Sequence, residues 1–351
     1  MTTYLKEEEK KWFLDRLGGL SGAVGVTGDE YGASAIAETL LAPYADETRI
    51  DARGNVTGLV RSGLAGAPVW VFDAHIDQVG IQITHIAPEG YLGFTEIGLD
   101  ARILPGQVFV VAAHSGERIP AVVVLPKDAH APDVLPTYLL LLDTGMPEDA
   151  VKEKIRVGDF AAFAGDAHEI APGRICGPAL DDRACFLSIL AFARRLKRSG
   201  RKPAADIVFS ATVREEIGGP GAAAVAVRYK PSLFVAVDVC HVKPGSKENG
   251  ERFEGGPAIA IRGDSDDFVS ARLLETARAK DIPHGTYGIS YVSGTNAGEV
   301  RIVGCGVRCA VVSLPLLYMH TPNEIVSLQD IAWTGELLYH FAVGFQDGER
   351  G

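Results

Sequence analysis

The chain has 351 residues, which exceeds the usual size of one hydrophobic core, so we expect one large domain and a smaller one. Hydrophobic residues make up 47% and charged residues 23%, a balance typical of globular proteins. The net charge of −11 argues against a broad nucleic-acid or anionic-membrane surface, and no apolar run reaches the roughly 18 residues of a membrane span.

The first part of the chain reads as two helices followed by three strands. Residues 1–11 lack an apolar signal core, so we expect a cytoplasmic protein. Hydrophobic spacing predicts helices and then strands, in the order 6–17, 34–41, 48–51, 55–61 and 69–74. The last strand, Val-Trp-Val-Phe-Asp-Ala, is a continuous apolar run typical of buried strands. It places His75 and Asp77 at its carboxyl end.

From residue 81 to about residue 173 the pattern changes to short strands separated by Gly and Pro. The predicted elements are strands at 81–86, 91–95, 107–112, 119–125 and 138–142 and one helix at 147–154. Short strands at regular spacing favour a small β-barrel or sandwich. We therefore interpret 81–173 as a β-rich domain inserted into an α/β domain made of residues 1–80 and 174–351.

Helices and strands alternate after Asp181. The predicted helices are 184–196, 222–228, 268–279, 297–302 and 328–345, and the predicted strands are 206–212, 233–237, 258–261, 286–289 and 307–313. This alternation predicts an α/β fold whose mostly parallel central sheet is covered by helices on both faces.

Polar residues follow the predicted strands where an open α/β sheet binds its ligands. They are His75 with Asp77, Glu215 with Glu216, Asp238 and His320, and the Asp181-Asp182 pair lies at the start of a helix. Each has an ordinary alternative. Adjacent aspartates can cap a helix, a glutamate pair can be a solvated surface, a lone histidine is commonly not a ligand, and Asp after a strand can form a turn.

Taken together, these residues supply the nitrogen and oxygen ligands that zinc and cobalt prefer. A carboxylate bridging two cations, with two further ligands on each, requires five groups, and five are available: His75, Asp181, Glu216, Asp238 and His320. Glu215 is then free to act as a general base for a water activated by the metals. Asp77 is placed to orient the His75 imidazole.

The five cysteines show no disulfide framework. They stand at positions 176, 185, 240, 305 and 309, and an odd number without regular spacing is typical of reduced, mostly buried thiols. Cys305 and Cys309 could be half of a zinc site, but no second pair completes it.

Five segments carry a resemblance to a known family. They are Ala-His-Ile-Asp-Gln-Val-Gly at 74–80, Ala-Leu-Asp-Asp-Arg-Ala at 179–184, Val-Arg-Glu-Glu-Ile-Gly at 213–218, Val-Asp-Val at 237–239 and Tyr-Met-His-Thr-Pro-Asn-Glu at 318–324. In this order they resemble the tetrahedral aminopeptidases, also called glutamyl or deblocking aminopeptidases, of the dinuclear zinc exopeptidase superfamily. The resemblance spans nearly the whole chain.

The resemblance implies a role for each matching residue. Asp181 bridges two metal ions, His75 and Asp238 complete one site, and Glu216 and His320 complete the other. Glu215 is the general base or acid, and the Asp181-Asp182 peptide bond is cis. The inserted domain forms a dimer contact, and dimers assemble into hollow dodecamers.

The implied activity is that of a metal-dependent aminopeptidase with two Zn²⁺ or Co²⁺ ions per subunit, which removes N-terminal residues from peptides. Gln78, Cys240 followed by His241, Asn296 and Leu317 depart from the family pattern, so we assign no glutamyl specificity.

Three alternatives stay open. The chain could be another metal-dependent amidase or deacylase, an endoglucanase-type glycosidase that uses Glu215 with a second carboxylate, or a non-catalytic assembly protein. Chelator sensitivity and product analysis separate the glycosidase from the peptidase, and the presence of all five ligands and the base argues against an inert assembly protein.

Overall fold

The computed structural model describes residues 5–125, 137–242 and 250–344. The α-helices in these ranges are α1 (Glu7–Ser21), α2 (Tyr31–Leu41), α3 (Glu148–Lys154), α4 (Leu180–Ser199), α5 (Pro220–Tyr229), α6 (Asp267–Ala279), α7 (Asn296–Val300) and α8 (Leu328–Gly344). The strands before α4 are β1 (Glu47–Ile50), β2 (Val56–Val60), β3 (Val69–His75), β4 (Gly80–Ile86), β5 (Leu92–Ile97), β6 (Val108–Ala112), β7 (Arg118–Val124), β8 (Leu141–Asp143), β9 (Phe160–Phe163), β10 (His168–Ala171) and β11 (Arg174–Gly177). The later strands are β12 (Asp206–Thr212), β13 (Leu233–His241), β14 (Ala258–Ile261), β15 (Gly285–Gly288), β16 (Arg308–Leu317) and β17 (Glu324–Ser327).

Within the described residues, the larger sheet has eleven strands and is mixed. Its main path runs β1-β2-β12-β3-β13-β16-β17-β11-β10, and β14 pairs with β15 and with β16. The four central strands β12, β3, β13 and β16 are parallel, and β14 is parallel to β15. The remaining pairings are antiparallel, at both ends of the path and between β14 and β16. The predicted α/β fold is confirmed, with the parallel pairing concentrated at the centre.

Strand β3 shows why the central strands are mostly apolar. Trp70, Phe72 and Ala74 point into a core formed with α1, α2, α4 and α8, whereas Val71 points into a second core on the other face with α5 and α7. A strand buried on both faces has no polar side, so its residues do not alternate. The predicted cover of helices on both faces is therefore present.

A closed barrel of six strands lies beside the sheet, in the order β4-β5-β8-β7-β6-β9. It has a hydrophobic core of its own. On β7, Ile119, Ala121 and Val123 are buried, whereas Arg118, Pro120 and Val122 between them are exposed. This strict alternation is what a barrel strand requires, because successive side chains point alternately inward and outward. The predicted barrel-like architecture is confirmed.

Several predicted element boundaries were wrong. The strand predicted at 138–142 begins only at Leu141, because residues 137–139 form a short 3₁₀ helix. The strand predicted to end at Val237 continues to His241, because β16 also extends beyond its predicted end and pairs with it along its full length. Strands β9, β10, β11 and β17 were not predicted. Residue 345 of the last predicted helix lies outside the described residues.

No helix among the described residues is both long enough and apolar enough to cross a membrane.

Candidate metal centre

The candidate ligands meet at the carboxyl edge of the parallel strands. His75 is the last residue of β3, and Asp238 lies in the neighbouring strand β13, close to its end. Asp181 is at the start of α4, where the Asp181-Asp182 peptide bond is cis, as the family resemblance implies. His320 follows β16 in a left-handed conformation with φ of 61°. Asp238 is thus inside a strand rather than directly after one.

His75, Asp181 and Asp238 form the first of two groups with the spacing of a metal site. Nε2 of His75 is 3.1 Å from Oδ1 of Asp181 and 3.9 Å from Oδ1 of Asp238. All three residues are buried.

Asp181, Glu216 and His320 form the second group. Nε2 of His320 is 3.3 Å from Oδ2 of Asp181 and 3.4 Å from Oε1 of Glu216. Asp181 belongs to both groups and turns a different oxygen toward each histidine. The structure therefore brings together all five candidate ligands and lets one carboxylate face two positions.

Glu215 and Glu216 lie on a short 3₁₀ helix, Glu215–Ile217, which follows strand β12. The two carboxylate oxygens of Asp77 accept hydrogen bonds from the backbone N–H groups of Glu215 and Glu216, at 3.1 and 3.3 Å. Oδ1 of Asp77 is also 3.4 Å from Nδ1 of His75. Asp77 thus contacts the imidazole as the sequence predicted and also holds the loop that carries both glutamates, which the sequence did not predict.

The centre concentrates negative charge in a buried volume. Burial raises the pKa of Glu215 to about 7 and raises that of Asp238 well above its usual value. Burial lowers the pKa of His320, but the carboxylates of Asp181 and Glu216 outweigh it and raise the pKa to about 11. Oε1 of Glu216 is buried and makes no hydrogen bond among the described residues, although Nε2 of His320 is 3.4 Å away. Several buried carboxylates in one place are costly, and a divalent cation is the group that would compensate their charge.

Two further residues fix the ligand loops and were not given a role from the sequence. Glu324 is buried and accepts hydrogen bonds from the backbone N–H groups of Asp181 at 3.0 Å and His320 at 2.7 Å. Burial raises its pKa to about 8. Arg183 is fully buried and donates to backbone carbonyls, including those of Leu20 and Ile76. Glu324 lies in the motif 318–324 and Arg183 in the motif 179–184. The sequence therefore showed both charged side chains, but it could not show their hydrogen-bond partners.

The centre opens into a cavity of about 320 Å³. Besides the five ligands and Glu215, its wall includes Cys240, Glu251 and Tyr287. Of the departures from the family pattern named above, Cys240 and His241 line this cavity. Asn296 instead donates to Asp73 of β3 at 2.8 Å and to the hydroxyl of Thr212 of β12 at 2.9 Å.

A comparison with known families decides the assignment. The family model described as M42 glutamyl aminopeptidase matches residues 54–337. The chain belongs to the M42 glutamyl aminopeptidase family. The match covers every candidate ligand, Glu215 and the whole barrel.

Individual relatives agree with the M42 assignment. The chain is 30% identical over 322 residues to a lysyl aminopeptidase of Pyrococcus furiosus, a match that covers 88% of this chain and 90% of the relative. An aminopeptidase structure from the archaeon Desulfurococcus kamchatkensis has a TM-score of 0.88 and 30% identity, with 96% of each chain covered. The TET1 peptidase of Pyrococcus horikoshii has the same fold, with a TM-score of 0.82 at 22% identity over 95% of this chain and 100% of that one.

M42 membership confirms the family resemblance seen in the sequence and the class of activity. The chain is a peptidase, and its activity is that of a metal-dependent aminopeptidase. The alternatives of an endoglucanase-type glycosidase and of a non-catalytic assembly protein are therefore not supported.

Proposed function

We propose that this M42 peptidase binds two divalent metal ions and removes single residues from the N-terminus of peptides. The observation that carries the proposal is that Asp181 is shared by two three-residue groups, with one carboxylate oxygen facing each histidine. A carboxylate in this position can bridge two cations, as expected for a dinuclear hydrolase.

The residues fit such ions. In our assignment Asp181 bridges, His75 and Asp238 complete one site, and Glu216 and His320 complete the other. The donors are imidazole nitrogens and carboxylate oxygens, a set suited to Zn²⁺ or Co²⁺. The buried Oε1 of Glu216, which makes no hydrogen bond among the described residues, supports a cation there. Metals bound by these residues would lower the pKa of a coordinated water and polarise the scissile carbonyl.

Glu215 is the proposed general base. It lines the cavity but belongs to neither three-residue group, so its carboxylate is free to accept a proton. It would take the proton from the attacking water and return it to the leaving amine. Asp77 is a positioning residue for this step, because its two carboxylate oxygens accept hydrogen bonds from the backbone N–H groups of Glu215 and Glu216. The negative charge around the cavity would also hold the free α-amine of a peptide, which restricts cleavage to the N-terminus.

The test compares a peptide with a free N-terminus and the same peptide acetylated there, before and after chelation and after addition of Zn²⁺ or Co²⁺. We expect stepwise release of single residues from the free peptide, no release from the acetylated one, loss of activity on chelation and recovery with metal. Cleavage of the acetylated peptide would instead support a general amidase or deacylase. Full activity in metal-free protein would contradict the mechanism.

We also propose that residues 81–173 form the dimerisation domain of this chain and that dimers assemble further, to a dodecamer. The outer surface of the barrel supports this, because Val108 and Val122 are exposed and lie directly opposite each other on β6 and β7. The TET1 peptidase that shares the fold can assemble into a tetrahedron or a large octahedral shell.

We place the enzyme in the cytoplasm. All five cysteines are free thiols, four of them buried, which suits a reducing compartment. Fractionation of cells that express the untagged chain tests this placement.

A further inference from the structure

The cavity continues beyond the five ligands to a wall that no catalytic role explains. Cys240 and Tyr287 contribute to this wall, and both belong to a small hydrophobic cluster that also contains Val242 and Ala258. The hydroxyl of Tyr287 is engaged with Ser313 at 2.8 Å, so the ring is fixed in place. This wall offers apolar surface to a substrate side chain.

Glu251 is the acidic residue on the same wall. It is partly buried and, among the described residues, makes no hydrogen bond and no ion pair. It shares the lining of the cavity with Cys240, Tyr287 and the candidate ligand Asp238. Among the described residues this partly buried carboxylate has no counter-charge.

The remaining charges of the cavity do not supply one. Its lining, as far as the chain is described, contains no lysine and no arginine, and the imidazole of His241 is at an exposed position. The other acidic residues of the lining are the three candidate carboxylate ligands and Glu215, which the proposed chemistry occupies. Glu251 is left as the carboxylate that can pair with a substrate.

We propose that the cavity selects peptides whose N-terminal residue is cationic, lysine or arginine, and that Glu251 is the specificity-determining residue. The methylene groups of such a side chain would lie against Cys240 and Tyr287 and its charged end would reach Glu251. Long basic side chains bind in this way because their stems are apolar and their ends are charged. The proposal rests on the proposed aminopeptidase function and specifies the substrate class of that same cavity.

The experiment compares lysyl and norleucyl anilides with the metal-loaded full-length enzyme. Norleucine has the same four-carbon stem as lysine but no ammonium group, so the ratio of the two kcat/KM values isolates the charge. We expect the wild type to prefer the lysyl substrate by about 10-fold or more, since a hydrogen bond between charged groups is among the stronger polar contacts. Glu251→Gln should remove most of this preference through a higher KM for the lysyl substrate, with kcat and the norleucyl values nearly unchanged. Glu251→Lys should shift the preference toward a glutamyl anilide.

Glu254→Gln is the matched control. Glu254 is three positions away, is exposed and pairs with Arg174 on the surface rather than lining the cavity. Its substitution should leave the lysyl-to-norleucyl ratio at the wild-type value. Equal changes of both substrates in Glu251→Gln, or the same change of ratio in Glu254→Gln, would overturn the proposal.

Three other results would count against it, and each has a different meaning. If the wild type hydrolyses norleucyl or glutamyl anilide at least as well as lysyl anilide, the specificity is wrong while the aminopeptidase function stands. If the charge preference appears only at the second residue, in Leu-Lys against Leu-norleucine dipeptides, Glu251 does not contact the N-terminal side chain. Failure to hydrolyse any aminoacyl anilide with Zn²⁺, Co²⁺ or Mn²⁺ present would reject the proposed function itself.

Discussion

At the scale of single residues, the centre depends on carboxylates that look alike in the sequence and differ in their contacts. Glu215 and Glu216 are adjacent, yet Glu216 lies 3.4 Å from His320 and belongs to a ligand group, whereas Glu215 does not. Asp181 and Asp182 are also adjacent, yet Asp181 faces both histidines, and Asp182 accepts a hydrogen bond from the backbone N–H of His75. Identical side chains therefore have different roles, because their backbone positions give them different contacts.

The glutamate pair gives the first prediction. Glu215→Gln should lower kcat by about 10²–10⁴-fold, because a positioned acid–base group typically contributes that much, while bound metal stays at the wild-type level. Glu216→Gln should instead lower metal occupancy, since it removes a ligand. Steady-state kinetics and elemental analysis of the purified variants measure the two effects. If Glu215→Gln loses metal while Glu216→Gln retains it, the two roles are reversed.

Glu324 gives the second prediction. Glu324→Gln should weaken Zn²⁺ binding by about 10–100-fold, because loss of a group that orients metal ligands typically costs this much. A glutamine can accept only one of the two backbone N–H groups, those of Asp181 and His320, and presents its own N–H₂ to the other. Competition with a chromophoric chelator measures the affinity without reference to activity.

Asp330→Asn is the control for that substitution. Asp330 is also buried and its carboxylate accepts two backbone N–H groups, but these belong to Glu254 and Gly256, which are not candidate ligands. Both variants should lose thermal stability, and only Glu324→Gln should lose Zn²⁺ affinity. Similar losses of affinity in both would reduce Glu324 to a general stabilising role.

At the scale of elements, the sequence predicted well where hydrophobic pattern and local structure coincide. Strands β12 and β14 were predicted to the residue, and the helices of the large domain were found within a few residues of their ends. These elements contain long apolar or amphipathic runs, whose periodicity is decided by burial alone. His75 and the Glu215-Glu216 pair could be predicted for the same reason, since they end or follow such strands.

The strands that were missed lack a continuous apolar run. Strands β10, β11 and β17 have only four residues each, and each contains charged or other polar residues or Gly. Strand β11 forms a local hairpin with β10 and also pairs with β17, which is distant in the chain. Four residues identify a strand only where they are apolar throughout, as in β14. The contacts of Glu324, at the start of β17, could not be predicted either, because they require the register of the pairing between β17 and β11.

Helix α4 gives the third prediction, because it links the sheet to the centre. Phe192 on α4 packs edge-to-face against Phe72 of β3 and Phe209 of β12, with ring centroids 5.0 and 4.9 Å apart. Phe192→Ala should destabilise the fold by about 3–5 kcal/mol, since it leaves a cavity in a fully buried aromatic cluster. Urea unfolding at one fixed protein concentration measures the loss of unfolding free energy.

Phe268→Ala is the control, because Phe268 is at a half-exposed position on α6, and it should lower the unfolding free energy far less. Equal losses in the two variants would contradict the role given to the aromatic cluster.

At the scale of the whole molecule, net charge and apolar surface have opposite effects on self-association. A chain with a charge of −11 repels its own copies at long range, so stable self-association requires apolar contact area. The barrel supplies such area on its outside, where Val108 and Val122 face each other across β6 and β7, next to the exposed Pro120. The inward residues of the same strands already form the barrel core, so the outer valines are not needed for its folding.

The fourth prediction follows from this surface. Val122→Glu should convert the assembly into smaller species, because it adds a charge to an apolar contact that two copies would bury and leaves the inward face of β7 unchanged. Light scattering at micromolar concentration gives the mass, and circular dichroism verifies that the barrel is still folded. Val227→Glu is the control: Val227 is 62% exposed on α5, away from the barrel, and the substitution adds the same charge.

A folded Val122→Glu protein that keeps the wild-type mass would show that the contact between copies lies elsewhere. Dissociation by Val227→Glu alone would place that contact on α5. A wild-type protein that is monomeric and fully active would refute the assembly altogether, whereas a stable dimer would leave the barrel contact standing and reject only the dodecamer.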